Sequence, residues 1–342
     1  MAKKLLIIDG SSLLTTSFFG FLPKEYKFAK NDEERDRALP KLAQTSDGQY
    51  TNGVFTMMKT LEKIIEKQKP TYLAVAWDLN RNTFRRQFYP QYKANRSATR
   101  PELKSQFPIA QEVLRKMNIQ QFVIDGYEAD DILGTFSKKF EDTIPVFILT
   151  KDQDALQLIS EKTRVWLMTS NAQKMYEEVG VNTSIFSLPD NVFEFTPDYM
   201  KHFYGITPKQ MIDLKGICGD TSDNIPGVKG VGDKSVVPLL CEFQTVEGIY
   251  EYLEETNDKE MKAFFKELGI RNPYSYMMKT SDTELVGKES ALLSKKLATI
   301  HCEMEALQDV KLEDLELNID KMGRKEIYEK FEFKSLLETK EK

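Results

Sequence analysis

The sequence predicts an α/β protein with a mainly parallel sheet in its first part and a helical second part. Short apolar runs that suit buried strands, such as residues 5–8 and 72–77, alternate with segments of helical spacing, such as residues 53–67. This alternation is typical of a parallel sheet covered by helices. After about residue 196 the apolar residues keep helical spacing, and prolines separate the segments.

Each predicted element has its own signal in the chain. The predicted strands are residues 5–8, 72–77, 121–124, 145–149 and 165–168. The predicted helices are residues 53–67, 101–117, 198–204, 208–214, 235–243, 246–253 and 289–300, with others after residues 10, 131 and 154. Residues 24–41 carry six basic and five acidic side chains and few apolar ones, which predicts a solvated insertion or mobile loop.

Size and cysteine content limit the class of protein. The 342 residues are enough for one large domain or two. Cys218, Cys241 and Cys302 lie far apart in the sequence, which argues against a disulfide framework and against a thiolate zinc site. The apolar run near the N-terminus is too short for a signal peptide, and no run approaches the roughly 18 residues of a membrane span. We therefore expect a cytoplasmic protein without a membrane partner.

Basic residues are concentrated in one segment of a chain that is acidic as a whole. The formal net charge is −5. Between residues 81 and 116, however, nine basic residues are opposed by two acidic ones, and aromatic residues are interleaved with them. A local positive charge of this size can bind a phosphate backbone even though the whole protein is acidic.

Acidic residues follow the predicted strands, one strand after another. The carboxyl ends of parallel strands meet at one edge of a sheet, where α/β proteins place their sites. A single acid there is usually a turn former or a helix N-cap, but four successive strands that end in acids indicate a shared site. With two acids from the helical part, the candidates are Asp9, Asp78, Glu128, Asp130, Asp131, Asp152, Asp154, Asp220 and Asp223.

A cluster of nine carboxylates requires cations. Like charges raise each other's pKa, so some of the acids would otherwise be protonated. Oxygen ligands without histidine or cysteine select Mg²⁺ or Mn²⁺. Setting these nine charges aside turns the formal charge of −5 into +4. Two ions about 4 Å apart beside a basic segment are suited to phosphodiester hydrolysis, with one activating water and the other stabilising the leaving oxygen.

A glycine-rich stretch links the last two acids to a predicted helix. Residues 216–234 read GICGDTSDNIPGVKGVGDK. Glycines permit positive φ, and their amides can form an anion-binding concavity next to a helix N-terminus. Such a hairpin would grip a phosphate through its backbone without reading a base. Taken alone, the same stretch is equally compatible with a surface turn.

Six stretches in the same order resemble the 5'-3' exonuclease and flap endonuclease family, in particular the N-terminal nuclease domain of bacterial DNA polymerase I and its stand-alone relatives. They cover residues 4–300 and read LLIIDGSSLL, FRRQFYPQYKANR, GYEADDILGT, LTKDQDALQL, GDTSDNIPGVKGVGDKS and ALLSKKLATI. The resemblance implies a PIN-like α/β core with a helical arch over the site, and a helix–three-turn–helix module that holds duplex DNA.

The resemblance also assigns roles to residues. The nine acids match the family's metal ligands, and Tyr92, Lys93 and Arg96 match arch residues that contact the scissile phosphate and its base. The hairpin resembles the element that, with a K⁺ ion, holds the uncut strand. The remaining predicted DNA contacts are Arg81, Arg85, Arg86, Gly227, Val228, Lys229, Gly230, Val231, Gly232 and Lys234.

The chain departs from the family pattern in three places. Residues 15–17 read TTS where relatives usually have Tyr-Arg-Ala, so one arginine contact is expected to be lost. The insertion at residues 24–41 is not typical of the family. No polymerase domain follows, which implies a free-standing nuclease. The expected division is a catalytic core at 1–196 with the arch at about 79–117, a DNA-binding domain at 197–302, and a charged tail at 303–342.

Together, these observations predict a structure-specific 5' nuclease that cleaves DNA with two Mg²⁺ or Mn²⁺ ions. Its expected substrates are 5' flaps and nicked or 5'-ended duplexes, including RNA-primed ends, which points to primer removal and DNA repair by a monomer. Strand polarity and flap preference come from the resemblance alone. Two alternatives stay open on the sequence: a PIN-type ribonuclease and a non-catalytic DNA-binding protein.

Overall fold

The computed structural model describes residues 3–182 and 187–338, and its centre is a six-stranded sheet. The strand order is β3-β2-β1-β4-β5-β6. All neighbours are parallel except β5 and β6, which are antiparallel. The strands are β1 Leu5–Asp9, β2 Tyr72–Ala76, β3 Gln120–Phe122, β4 Val146–Thr150, β5 Thr163–Met168 and β6 Val192–Phe195.

Helices cover both faces of this sheet and form a second domain. They are α1 Gly10–Gly20, α2 Lys24–Lys27, α3 Asp32–Ala38, α4 Asn52–Gln68, α5 Phe84–Phe88, α6 Pro101–Lys104, α7 Gln106–Lys116, α8 Ala129–Phe140, α9 Ala172–Glu178, α10 Pro197–Tyr204, α11 Met211–Cys218, α12 Asp233–Phe243, α13 Val246–Glu255, α14 Asp258–Glu267, α15 Tyr274–Met277, α16 Gly287–Ala298, α17 Lys321–Lys330 and α18 Lys334–Glu338. Short 3-10 helices lie at Leu39–Lys41, Gln153–Leu158, Pro208–Gln210, Glu305–Leu307 and Leu312–Leu315.

Strand residues alternate between two apolar cores. In β1, Leu6 and Ile8 face a core that includes α4 and α7, whereas Leu5 and Ile7 face a core that includes α8. Because both sheet faces are covered, β1 and β2 are buried along their whole length. A third core lies in the helical domain among α12, α13 and α14. The α/β class with a mainly parallel sheet and a helical domain is thus confirmed.

Four elements of this part of the fold differ from the sequence expectations. The antiparallel strand β6 and helix α9 were not predicted, because both are short and follow no long apolar run. The predicted helix at residues 101–117 is divided into α6 and α7 at Ser105. The segment after Asp152 is a 3-10 helix rather than an α-helix.

The charged insertion is folded, so the expectation of a mobile loop is wrong. Helices α2 and α3 fill most of residues 24–41, and their charged side chains face outward. Tyr26, Ala38 and Leu42 are buried in the core on the α4 side of the sheet. Three well-placed apolar residues are enough to dock a segment whose remaining composition is polar.

The C-terminal segment packs on the domain that contains the sheet, contrary to the expectation of a tail. Ile327, Tyr328, Phe331 and Phe333 in and after α17 belong to the same core as α4 and α7. Arg324 donates to Glu62 of α4 over 3.0 Å and to the Leu336 carbonyl over 2.8 Å. In the sequence, lysines and glutamates separate these apolar residues, so no apolar pattern indicates a buried helix. Among the described residues, no helix is long and apolar enough to cross a membrane.

Candidate active site

The first acids lie where the parallel strands end, as the sequence predicts. Asp9 is the last residue of β1, and its carboxylate caps α1 by accepting from the Ser12 amide over 2.8 Å. Thr150, at the end of β4, donates its hydroxyl to the second oxygen of Asp9 over 2.9 Å. Burial raises the pKa of Asp9 to about 6, and repulsion from Asp78 adds to this. Asp9 therefore caps α1, but its buried negative charge is electrostatically unfavourable.

Asp130 lies in the first turn of α8, and its negative charge is the least offset by hydrogen bonds or ion pairs within the cluster. Its Oδ1 atom is buried and has no hydrogen-bond partner among the described residues. Burial raises the pKa of Asp130 well above the ordinary value, and the carboxylates of Asp152 and Asp9 raise it further. A buried oxygen in this state needs either a proton or a cation.

Three side chains of the arch lie on the acidic cluster. Lys93 Nζ is 2.9 Å from Glu128 Oε1 and 3.5 Å from Asp223 Oδ2. The Tyr92 hydroxyl donates to Glu128 over 3.1 Å and lies 3.4 Å from Asp223. Arg96 forms an ion pair with Asp223. Burial alone would lower the pKa of Lys93, but the attraction of Glu128 outweighs it, so the pKa is raised and the ammonium stays charged.

Lys215 joins the cluster from α11, and sequence reasoning missed it. Its ammonium bridges Asp154 and Asp220, at 2.7 Å from the latter. Burial would raise the pKa of Asp220, but the Lys215 partnership outweighs it and lowers that pKa to about 2. The only local signal was a lysine five residues before an acid, which is too common to single out.

Asp131 differs from its neighbours because its oxygens are already engaged by the protein. Arg85 donates to both of them, over 2.7 and 2.9 Å, and the amides of Glu128 and His301 donate over 3.0 and 2.9 Å. The side chains of Arg85 and Asp131 are only 2% and 0% exposed. Arg85 also donates to the carbonyls of Leu297 and Thr299. This pair ties α5 and α8 to the end of α16.

That geometry changes two expected roles. Asp131 is not an available ligand like Asp130, since its oxygens already accept four hydrogen bonds. Arg85 faces inward and cannot reach nucleic acid as predicted. Arg81 and Arg86 remain near the surface, where Arg81 donates to the Arg96 and Ser97 carbonyls and Arg86 lies 3.4 Å from the Pro90 carbonyl.

The arch is docked on the loop that carries the last two acids. The Lys93 amide donates to the Asp223 carbonyl over 2.8 Å. Asn95 donates its side-chain amide to the Thr221 carbonyl, and Asn224 donates to the Gln91 carbonyl, each over 2.7 Å. Lys93 and Asn224 both have positive φ, of 53° and 56°. The contact places the basic arch directly above the carboxylates.

The glycine hairpin has a buried base and an exposed tip. At the base, the Gly227 amide donates to Ser294 over 2.9 Å and its carbonyl accepts from Ser290. Val228 and Val231 are buried in the helical core, and their amides donate to the carbonyls of Ile217 and Val228 over 2.6 and 3.0 Å, so neither amide is free for the predicted backbone contact. Lys229, Gly230, Gly232 and Lys234 are exposed. The amides of Lys229, Gly230 and Gly232 make no hydrogen bond to any described residue.

The predicted acids are therefore gathered, but protein cations lie among them. Asp152 interacts electrostatically with Asp223, Lys215, Lys93 and Arg96, and Asp78 accepts from the Ala129 amide over 2.9 Å. Within residues 3–182 and 187–338, no three acid, histidine or cysteine side chains converge as ligands of one ion in this arrangement. Lysine and arginine groups instead neutralise the carboxylates.

Comparison with known proteins identifies the family. A model described as the 5'-3' exonuclease N-terminal resolvase-like domain matches residues 4–185, and one described as the 5'-3' exonuclease C-terminal SAM fold matches residues 206–322. These two domains define a class of nuclease-type α/β proteins with a helical second domain. The chain belongs to the 5'-3' exonuclease family, which confirms the resemblance seen in the sequence.

Curated relatives differ in length. The chain is 36% identical over 299 residues to the DNA polymerase I of Bacillus subtilis, an alignment that covers 87% of this chain and 28% of the polymerase. It is 32% identical over 316 residues to a 5'-3' exonuclease of Halalkalibacterium halodurans, which covers 92% of this chain and 88% of that protein. The chain thus spans less than a third of the polymerase but most of the exonuclease.

Solved structures share the fold. The T5 5'-exonuclease bound to zinc superposes with a TM-score of 0.58 and 20% identity, covering 96% of this chain and 99% of that one. A T5 D15 flap endonuclease complex with DNA and metal ions gives the same TM-score at 19% identity, covering 96% of this chain and all of that one. At this identity the likeness establishes the architecture, which agrees with the sheet and helical domain described above.

Proposed function

We propose that the protein is a divalent-metal-dependent nuclease that hydrolyses phosphodiester bonds in DNA, as a 5'-3' exonuclease and 5'-flap endonuclease. The observation that carries this proposal is the unpartnered, buried oxygen of Asp130 inside a cluster of carboxylates and beneath a basic arch. Family membership and the names of the relatives, which include a 5'-3' exonuclease and a flap endonuclease, support the same activity.

The residues fit Mg²⁺ or Mn²⁺. The available donors are carboxylate oxygens, which these ions prefer, and the burial of Asp130 without a partner leaves a position that a cation would stabilise. When bound, two such ions would supply an activated water and would stabilise the leaving oxygen. The proposed ligands are Asp9, Asp78, Glu128, Asp130, Asp152, Asp154, Asp220 and Asp223. Asp131 is proposed as a positioning residue that fixes α8 through Arg85.

The arch cations bind the scissile phosphate in this proposal. Lys93 and Arg96 stay positively charged because burial is outweighed by their carboxylate neighbours. Their ammonium and guanidinium groups can transfer from the carboxylates to the substrate phosphate once the acids have another counter-charge. Burial raises the pKa of Tyr92, so its hydroxyl remains protonated and can donate a hydrogen bond. Lys215 pairs with both Asp154 and Asp220 and thereby orients their carboxylates.

The helical domain holds the duplex part of the substrate. The exposed amides of Lys229, Gly230 and Gly232, next to the start of α12, suit a phosphate of the uncut strand, and a K⁺ ion at the hairpin is consistent with that role. We infer that flapped, nicked and 5'-ended duplexes, RNA-primed ends among them, are the substrates. We further propose that the protein acts as a monomer in the cytoplasm, in primer removal and DNA repair.

A labelled 5'-flap duplex tests the proposal. With Mg²⁺ the protein should release products from the 5' side at the flap junction, and EDTA should stop the reaction. Sizing the products separates endonuclease from exonuclease action. Activity that persists in EDTA, or an unchanged substrate in Mg²⁺ and in Mn²⁺, would contradict the proposal.

A second substrate in the same assay, single-stranded RNA, separates the proposed function from the two alternative functions. Single-stranded RNA of the same length should be cut much more slowly than the flap, because it lacks the duplex that the helical domain is proposed to hold. Preference for the RNA would favour a PIN-type ribonuclease. Tight flap binding without turnover in either metal would favour a non-catalytic DNA-binding protein.

A further inference from the structure

We propose that Tyr276, on α15 of the helical domain, is an additional DNA-contacting residue that extends the grip of the glycine hairpin. This inference rests on the proposed function, since it concerns the same duplex. Neither the hairpin sequence nor the basic arch indicates it, because Tyr276 lies more than forty residues after the hairpin in the sequence.

Tyr276 lies directly against the tip of the hairpin. Gly230 has a φ of +92°, and a Cβ added there would be 2.9 Å from both Cδ1 and Cε1 of the Tyr276 ring. One side of the ring is therefore in close contact with the Gly230 backbone. This contact explains why position 230 requires glycine for steric reasons as well as for its backbone conformation.

The tyrosine is held firmly but remains open to solvent. The next residue, Met277, is fully buried in the helical core. The amides of Tyr276 and Met277 both donate to the Pro273 carbonyl over 3.0 Å, which closes the short turn of α15. Even so, Tyr276 is 40% exposed, and its hydroxyl makes no hydrogen bond to any described residue. A large aromatic side chain is thus fixed in place with a free polar group.

The surroundings on the hairpin point to a phosphodiester backbone as the ligand. The hairpin whose Gly230 contacts the ring is rich in donors, since the amides of Lys229, Gly230 and Gly232 make no hydrogen bond to any described residue and Lys229 and Lys234 are exposed. A tyrosine hydroxyl adds one more donor, and hydroxyls are common partners of phosphate oxygens in DNA complexes. In this arrangement the ring positions Gly230 while the hydroxyl contacts an adjacent phosphate of the uncut strand.

Affinity for flap duplex in EDTA, measured by fluorescence anisotropy, tests the role. Y276A should weaken binding about tenfold, because it removes both the hydroxyl contact to the phosphate and the ring that positions Gly230. Y276F keeps the ring against Gly230 and should weaken binding about threefold, since only the hydroxyl is lost. L285A is the matched control, because Leu285 is exposed to the same 40% in the same region of the chain. Its affinity should equal that of the wild type.

Salt dependence separates a neutral contact from a cationic one. Y276A should lower affinity by the same factor at every salt concentration, because tyrosine displaces no counterion. K229A should instead reduce the slope of log affinity against log salt by about one. Thermal unfolding of each variant checks that the fold is retained. If Y276A does not fold, Y276F still tests the hydroxyl contact.

The outcomes distinguish this inference from the proposed function. If the wild type binds duplex in a salt-dependent manner and both Tyr276 variants bind equally well, the inference alone is wrong. If Y276A weakens binding but Y276F matches the wild type, the ring acts only by packing and the phosphate contact is excluded. If the wild type itself has no affinity for duplex, the proposed function is wrong.

Discussion

At the scale of single residues, two adjacent aspartates have opposite environments. Asp130 has an oxygen without a partner among the described residues, and its pKa is raised by burial and by three carboxylate neighbours. Asp131 accepts four hydrogen bonds and is paired with Arg85. Sequence alone could not separate them, because both lie in the first turn of the same helix and both match the family's acids.

The two asparagine variants should therefore differ in kind. D130N removes a proposed metal ligand, so it should abolish cleavage. It also removes a buried negative charge that is unfavourable for folding, so the urea midpoint of the metal-free protein should be unchanged or higher. D131N removes the carboxylate that binds both arms of the buried Arg85 guanidinium and leaves only Glu128, at 3.5 Å, as a counter-charge. Breaking such a buried pair should lower the free energy of unfolding by about 3 kcal/mol. Urea unfolding and flap cleavage, measured side by side, check this. Equal stability of the two variants would contradict the assignment.

Much of the acidic cluster was predictable from sequence, whereas its counter-charges were not. Acids at the ends of successive parallel strands must meet at one sheet edge, and Asp9 and Asp152 do so. Lys215 pairs with Asp154 across 61 positions, and Arg85 pairs with Asp131 across 46. Contacts between such distant residues have no period or spacing in the sequence, so only the folded chain reveals them.

At the scale of elements, the docking of the arch on the 221–224 loop determines where Lys93 and Arg96 lie. Asn224 has a positive φ and donates to the Gln91 carbonyl. Asn118 is a matched case elsewhere, also with positive φ, whose side chain donates to the Asn318 carbonyl over 3.0 Å. Glycine at either position removes the hydrogen bond without straining the backbone.

N224G should loosen the arch, whereas N118G should not. Loss of one hydrogen bond of about 1 kcal/mol should accelerate exchange of the Lys93 amide about fivefold, because that amide is bonded to the Asp223 carbonyl. Hydrogen–deuterium exchange in EDTA measures the rate. Unchanged exchange in N224G, or the same acceleration in N118G, would mean that this contact does not hold the arch.

Elements with strong periodicity were predicted well, and elements with mixed composition were not. Helix α4 starts and ends within one residue of the predicted 53–67, because its apolar residues form one continuous face. The prediction for the insertion at residues 24–41 was wrong because its few buried residues, such as Tyr26, are outnumbered by charged ones. Strand β6 was not predicted because four residues are too few to show an alternation of apolar and polar side chains.

At the scale of the whole molecule, the last described residues complete the core of the first domain. Phe333 packs on Phe55 of α4 with ring centroids 5.6 Å apart and also contacts Tyr328. The sheet and the C-terminal helices are therefore expected to unfold together rather than as core and tail. No composition signal indicated this, since the segment is rich in lysine and glutamate.

F333A should destabilise the domain that contains the sheet even though Phe333 lies about 200 residues beyond α7. Truncating a buried phenylalanine costs about 3–5 kcal/mol, including the cavity that remains. M322A is the control on the same segment, since Met322 is 66% exposed and should change the free energy of unfolding by less than about 0.5 kcal/mol. Urea titration followed by tryptophan fluorescence reports on this domain, because Trp77 and Trp166 both lie in that core. A midpoint unaffected by F333A would show that the segment is not part of it.

The acidic cluster should couple divalent ions to the stability of the entire chain, because its members come from segments as distant as β1 and the 221–224 loop. An ion that binds only the folded state, at about 100 times its Kd, adds about 2.7 kcal/mol to the free energy of unfolding. We therefore expect Mg²⁺ to raise the thermal midpoint of the wild type relative to EDTA. D130N, which loses the proposed ligand whose charge is least offset by the protein, should show a much smaller rise. Equal rises in the two proteins would mean that Mg²⁺ stabilises the chain elsewhere, and that the Asp130 oxygen is not where the cation binds.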